Sequence, residues 1–429
     1  MRQALLCLVL NFAAWAGQRP QPNPQPALIG QIQRRMAENL ARLPNYTCLE
    51  TIDRTVVRQT KKKLLLRDRI HVEVAFIEAK EMFSWPGSAD FEPDLLHQIA
   101  SAGASGIGGF GGWTRAFFGP SGPNFTYAAE CLVEGRRGFR YDFDVPLLSS
   151  NFALVFEGRE TKLPYTASLC VDPDSLEIML LSIHAGQTPP PVTATSETIR
   201  YGHTHIGSAD FLLPQDHELV VTDLAGNESR NLTRFTACRE YTTQSSITFD
   251  TERTASDAER TAAPVRQTKA EELQIPAGVS LHLKLDTPIT FEGSAIGDRI
   301  TARLERAINA PGVSIPKGAV VSGRVRGLEQ YFEPEKYFLV SLEFSSLTFE
   351  GRRGLFHARL VGPRRPAERH LDSSGMAMES ATSTPGSVPA EPSGLDIDDS
   401  APDSGAFRVR GSSLRLSRGL EIILETRSQ

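Results

Sequence analysis

The sequence predicts a mainly β chain of the α+β class: an N-terminal helix on a curved antiparallel sheet, followed by a smaller, barrel-like all-β domain. Three observations carry this. Apolar residues alternate with polar ones over long stretches, and clusters of Gly, Pro, Asn and Asp separate those stretches. Helical spacing of apolar residues is strong in one place only, near the N-terminus.

Composition bounds the rest. A chain of 429 residues with 40% hydrophobic residues can build two or three cored domains. The formal net charge of −5 gives no case for a nucleic-acid partner, which would need a concentrated basic face. Lys61-Lys62-Lys63 lies between two strand-like segments and reads as a solvated hairpin tip.

Residues 1–16 read as a cleavable secretory signal. Arg2 is followed by an apolar run, Ala4 to Ala13, and then by the small residues of Ala14-Trp15-Ala16. The run is shorter than the roughly twenty residues that span a bilayer. Cys7 follows Leu6 rather than a small residue and sits too early for a lipoprotein site. The expected location is therefore exported: periplasm, cell envelope or secreted, with no integral membrane segment left after cleavage. Residues 17–26 form a proline-rich spacer.

The first domain is expected over residues 27–250. Ile29, Ile32, Met36 and Leu40 recur at helical spacing, and Pro44 limits that helix. From Tyr46 the period becomes two. Leu64 to Phe76 reads as a half-buried strand whose Arg67, Arg69, His71 and Glu73 form a wet face. Phe125 to Val133 and Phe139 to Val145 form a hairpin turning through residues 134–138. Asp172-Pro173-Asp174-Ser175 and Asp223 to Asn227 mark two further turns.

One segment interrupts this meander. Asp94 to Ala100 looks helical, and Gly103 to Gly112 is glycine-rich, ending at Trp113. No Lys-Ser/Thr follows it, so it is not a phosphate-binding P-loop. It reads either as a mobile connection or as a lid over one face of the sheet. In the lid reading, Phe110, Trp113, Phe117 and Phe118 are its apolar underside and the candidate ligand contacts.

Residues 251–270 read as a polar linker, and residues 271–429 as the second domain. One pattern is written three times there. Ile275-Pro276-Ala277-Gly278, Ile315-Pro316-Lys317-Gly318 and Leu416-Ser417-Arg418-Gly419 each lead into an alternating strand. Residues 366–406, poor in aromatics and rich in Ser, Pro and acidic residues, read as a disordered insertion.

After signal removal four cysteines remain, and four allow three pairings. Cys48 and Cys238 lie on the first and last strands of one domain, which favours pairing them and leaves Cys131 with Cys170. Strand parity opposes the second pair: Cys131 is in register with Phe125 and Tyr127, and Cys170 with Thr166 and Ser168. The spacings form no zinc pattern.

The second domain, with its IPAG start, Gly297-Asp298 turn, IPKG turn and Ser322-Gly323-Arg324-Val325, resembles the β domain of TrbI-like proteins of conjugal transfer and type IV secretion. The first domain, by element order and Val171-Asp172-Pro173, resembles the half barrels of outer-membrane lipoprotein carriers. The whole chain also resembles exported proteins of environmental bacteria, which implies export and no particular activity.

A search for chemistry yields little. His203 and His205 share a strand face without an evident third ligand, so no metal site is assigned. Ser314-Ile315-Pro316-Lys317 has SxxK spacing, but its proline and glycine make a strand turn rather than a helix start. Asp142 and Asp144 alternate with aromatics on a solvated face. Asn45, Asn124, Asn227 and Asn231 head sequons, which would be surface glycan sites in a eukaryotic secretory host.

No catalytic motif and no cofactor are assigned. The expectation is a non-catalytic envelope protein that holds a lipid or other apolar ligand in its N-terminal sheet. The rival readings are an assembly component docking on an envelope complex through its second domain, and a hydrolase of unassigned chemistry.

Overall fold

A computed structural model describes residues 25–58, 64–77, 80–88, 90–93, 95–99, 104–105, 109–119, 122–156, 159–241, 272–310, 312–332, 335–364, 395–398 and 406–428. The signal segment, Lys61 to Lys63, the linker and most of the 366–406 insertion lie outside these residues. Among the described residues no helix is long and apolar enough to cross a membrane.

Helix α1 (Gln25–Arg42) starts inside the expected spacer. Pro26 permits this, because an amide hydrogen is not needed in the first helical turn. The helix buries Ile32 and Met36, and its Arg35 and Asn39 donate to Glu177 at 3.0 and 3.4 Å. Strands β1 (Tyr46–Val57), β2 (Leu64–Ile77) and β3 (Lys80–Ser84) follow. Helix α2 (Leu95–Ile99), β4 (Ala104–Ser105) and helix α3 (Gly112–Phe118) then interrupt the sheet. It resumes with the hairpin β5 (Thr126–Val133) and β6 (Arg136–Val145). Their turn is tighter than expected: Glu134 and Gly135, at φ 50° and 83°, make a two-residue connection of the type that matches strand twist.

Short strands β7 (Ala153–Phe156) and β8 (Arg159–Lys162) pair beside β4. The sheet is completed by β9 (Tyr165–Val171), β10 (Ile178–Ala185), β11 (Val192–Ile206), β12 (Ala209–Asp223) and β13 (Glu228–Glu240). Ten strands lie in the order β3-β2-β1-β13-β12-β11-β10-β9-β6-β5, with antiparallel neighbours throughout.

Both disulfides follow from this topology. Cys48 and Cys238 meet where a bulge breaks the β1–β13 register, with Cα atoms 4.0 Å apart. Cys131 and Cys170 pair across β6, and a second bulge removes the parity conflict. Tyr127 pairs with Tyr141, but Ala129 pairs with Arg140, so one residue of β5 is skipped. That skip turns Cys131 onto the face of Gly138 and Arg140, which Cys170 shares. The Cα atoms stand 6.1 Å apart, less than the roughly 9.6 Å separating next-nearest strands in a flat sheet, so the sheet curls here. A Cβ on Gly138 would sit 3.0 Å from Cys170 Sγ, so glycine makes room for the bridge.

The second half of the chain runs from β14 (Glu272–Gln274) through β15 (Ser280–Leu285), β16 (Ile289–Thr290), β17 (Arg299–Leu304), β18 (Ile308–Ala310) and β19 (Val313–Ile315). It continues with β20 (Val320–Tyr331), β21 (Tyr337–Phe349), β22 (Arg352–Leu355) and β23 (His357–Arg364). Strands β24 (Leu395–Asp398), β25 (Ala406–Arg410), β26 (Arg415–Leu416) and β27 (Glu421–Arg427) end the chain. The second large sheet follows the path β14-β22-β21-β20-β17-β15-β27-β23, with β25 on β21 and β24 on β25, while β16 pairs with β26 and β18 with β19 outside it. Strand β24 corrects the expectation of a wholly disordered insertion, because its backbone pairs along β25. The threefold turn pattern has one structural basis. Gly278, Gly318 and Gly419 have φ of 82°, 90° and 90°, and each amide donates to a neighbouring carbonyl, those of Thr426, Leu304 and Leu285.

The two large sheets meet along β2. Strand β3 pairs only with Glu73 to Ile77, so the first half of β2 is an edge. Ile296 caps it: His71 N donates to Ile296 O and Ile296 N to Arg69 O, both at 2.8 Å. The expected wet face is therefore only half-exposed, with Glu73 buried. His71 Nδ1 lies 2.7 Å from Asp298, Arg67 pairs with Glu329 at 3.1 Å, and Glu73 is 1% exposed, paired with Arg239. Arg324 and Arg326 stack over Trp85 at 5.4 and 4.5 Å, and Ile70, Val72, Ile296 and Val325 belong to one apolar cluster. Alternation showed which side chains share a face, but not that another domain covers it.

Gly297→Ala tests this junction, since its Cβ would lie 2.1 Å from His71 O at φ 102°. We expect a loss of about 2 kcal/mol or more in urea unfolding, with easier proteolysis between the domains. Gly318→Ala meets open space and should cost only about 1 kcal/mol of backbone strain. Equal costs would show that the junction is unimportant. Non-reducing peptide mapping should return Cys48–Cys238 and Cys131–Cys170; any other pairing contradicts the bulge assignment.

Candidate functional site

The concave face of the first sheet is lined by residues that alternate inward: Tyr46, Glu50 and Ile52 on β1, Thr233 and Phe235 on β13, His217 and Leu219 on β12, and Glu197, Ile199 and Tyr201 on β11. Toward the far edge it becomes aromatic, with Tyr165, Tyr141 and Phe143. Such a face must be covered, and the segment Gly109–Gly119, which contains α3, covers its centre.

The four aromatics of this segment are buried. Phe110, Trp113, Phe117 and Phe118 are 3%, 2%, 2% and 6% exposed. Phe110 packs on Tyr46 and Phe235 with ring centroids 4.8 and 5.1 Å apart. Trp113 lies 5.6 Å from Tyr165, and Phe117 4.8 Å from Phe143. The face is thus packed rather than an open groove. The glycines let the backbone press onto the sheet: a Cβ on Gly109 would meet His217 Nδ1 at 2.4 Å, and one on Gly111 would meet Phe76 at 3.2 Å.

Polar contacts fasten the segment. Glu81 Oε1 accepts from Gly111 N and Gly112 N, both at 2.9 Å. Glu197 Oε2 accepts from Trp113 Nε1 at 2.8 Å, and the hydroxyls of Thr114 and Tyr201 lie 3.0 Å apart. Other buried polar atoms have no hydrogen-bond partner: Glu197 Oε1, Glu50 Oε2, Thr195 Oγ1 and His217 Nε2. His217 Nε2 is 3.4 Å from Glu197 Oε2, within ion-pair reach but without hydrogen-bond geometry. Burial pushes the Glu50 carboxyl up to about 8, with the Glu81 charge adding to the effect. Burial also raises the Tyr46 and Tyr201 hydroxyls.

The sequence reading missed these carboxylates. The available signal was an acidic residue at an inward position, Glu50 between Cys48 and Ile52 and Glu197 before Ile199. That signal means something only once the face is known to be covered.

Beside α3 a cleft of about 700 Å³ opens onto the same face. Phe117, Phe143, Val145 and Tyr165 lie at its base, and Asn124, Asp142, Asp144, Ser149 and Asn151 line its polar rim. Leu147 and Leu148, exposed at 49% and 96%, lie on the adjoining turn.

The remaining sequence candidates disperse. His203 pairs with Glu177 at 3.1 Å and His205 with Asp210 at 2.9 Å. Among the described residues no three metal-ligating groups converge. Ser314 donates to Asn309 at 3.1 Å on a strand turn. Asn45 and Asn124 are exposed and Asn227 is half-buried, but Asn231 is buried, which removes its sequon as a surface site. Two disulfides are the chemistry of an oxidising compartment.

No family model and no curated protein matches the chain. Neither comparison supports the resemblance of residues 271–429 to conjugal-transfer β domains. Among solved structures, a domain described as that of an outer membrane lipoprotein-sorting protein from Vibrio parahaemolyticus is 9% identical, with a TM-score of 0.24, covering 50% of this chain and 94% of that one. A DUF1329 family protein from Desulfovibrio piger is 12% identical, with a TM-score of 0.25, covering 50% and 92%. MucB in complex with MucA is 11% identical, with a TM-score of 0.15, covering 75% and 89%. At these scores none carries an argument about this chain.

Glu50 supplies a pH test. Its folded-state value of about 8 lies above the ordinary carboxyl value of 4.5, so the folded state keeps a proton that the unfolded state releases. Stability from this group is fully present below 4.5 and is lost as pH rises through 8. Glu50→Gln should match wild type near the lower value and exceed it by a few kcal/mol near the upper one. Parallel stability curves across that window would refute the buried, protonated assignment.

Proposed function

We propose that the N-terminal domain is an exported, non-catalytic binding module. In this reading its cover segment lifts to admit an apolar chain, from a lipid or another apolar ligand, onto the concave face. One observation carries the reading: the cleft beside α3 reaches the aromatic layer formed by Phe117, Phe143 and Tyr165, the layer that closes the face. An apolar chain entering there would cover the floor that the segment leaves, so part of the apolar burial lost in displacing the segment is regained. The glycines at 109, 111, 112, 119 and 122 keep the segment free of side chains that would pin it elsewhere. Export rests on residues 1–16 and is supported by the two disulfides.

Trp113 reports on this directly, because it is buried under the segment. Dodecyl-chain probes below their micelle concentration should bind one per chain in native mass spectrometry and shift Trp113 emission to longer wavelength. A Trp85→Phe background isolates the signal in the mature chain. Unchanged emission together with no retained probe at saturation would end the binding reading and leave an ordinary closed core.

A further inference from the structure

We infer that the ligand of this face carries a hydrogen-bond-donating, cationic end, such as an alkylammonium, rather than a carboxylate or phosphate head. The inference rests on the lifting of the cover segment proposed above and adds what the exposed floor would select.

The floor is acidic. Glu81 and Glu197 meet the cover segment directly, and Glu50 lies across from Phe235, whose ring packs against Phe110. In the closed state the segment supplies the donors: two backbone amides to Glu81 and the indole N–H to Glu197. When Gly111, Gly112 and Trp113 leave, those donors leave with them. A ligand that lacked donors would leave Glu81 without two amide donors and Glu197 without its indole donor beneath its own apolar body, and lost donors at buried carboxylates are costly.

The closed state itself does not satisfy the floor. Glu197 Oε1 and Glu50 Oε2 have no partner while their side chains are buried, and Thr195 Oγ1, two residues from Glu197 on β11, also lacks one. Buried polar atoms are rarely left so in a finished core, and here three unpartnered oxygens lie on one face. Positive charge facing them is limited. Arg115 is stacked over Phe76 at 4.5 Å, His217 stands by Glu197, and Arg54 is committed to Asp68 by two hydrogen bonds of 2.6 Å. An anionic head would bring a further negative charge to a floor that already carries Glu81 and Glu197, with Glu50 held neutral by burial. An ammonium head brings three donors and the opposite charge.

Dodecylamine, dodecanol and dodecanoate share one chain and differ only in the head. Titrated against the full mature protein and read by Trp113 emission and native mass spectrometry, dodecylamine should bind about tenfold or more tighter than dodecanoate, with dodecanol between. Glu197→Gln keeps an acceptor for Trp113 but removes the charge, and should bring dodecylamine close to dodecanol. Glu81→Gln, which keeps an acceptor for Gly111 N and Gly112 N while removing the charge, serves as a second variant should Glu197→Gln fail to fold, with a loss in the same direction. Equal binding of all three heads, or tighter binding of dodecanoate, overturns this inference and leaves the apolar-ligand reading standing. Failure of all three chains to bind overturns both.

Discussion

A ten-stranded sheet whose inward positions are apolar across most of their width cannot stand uncovered in water. The chain covers its centre with a short helical segment rather than a second sheet. Most of the first domain can be read from that constraint. Helix α1 covers part of the face and is tied by Glu177, the small β4-β7-β8 sheet lies beside it, and α3 fills the middle with four aromatics. Glycine is required where the backbone of that segment meets the sheet, above all at Gly109 over His217. The polar residues below it are what separate this face from an ordinary core, since they are only partly satisfied by the cover.

The second constraint is the open half of β2. An unpaired strand edge invites association, and this chain blunts its own by docking Ile296 there. The junction is polar at its margin and apolar at its centre. His71, Arg67, Arg69 and the Arg324–Arg326–Trp85 stack surround an apolar cluster that continues from one domain into the other. The second domain is thus part of what shapes the first. It restrains the strand next to β1, which carries Tyr46 and Glu50 at the edge of the covered face.

The disulfides show how a local irregularity can reverse a pattern argument. Strand parity separates Cys131 from Cys170, and parity holds along any unbroken strand. One skipped residue on β5 changes the face of everything after it, and the curl of the sheet with a glycine at 138 completes the bridge. Neither the skip nor the curl has a signature in the flanking residues.

The sequence by itself determined the periodicities, and through them the class, the first helix, the long meander and the three equivalent glycine turns. These are properties of neighbouring residues: alternation dictates which side chains share a face, and a left-handed turn demands glycine wherever it falls. It also singled out Phe110, Trp113, Phe117 and Phe118 as an apolar underside. Tertiary structure alone decided what each face meets. The charged row on β2 became a domain junction, and Glu50 and Glu197 became buried acceptors. The aromatic underside became a plug over them. Burial is set by residues distant in the chain, and so is the cost or use of a charge placed there.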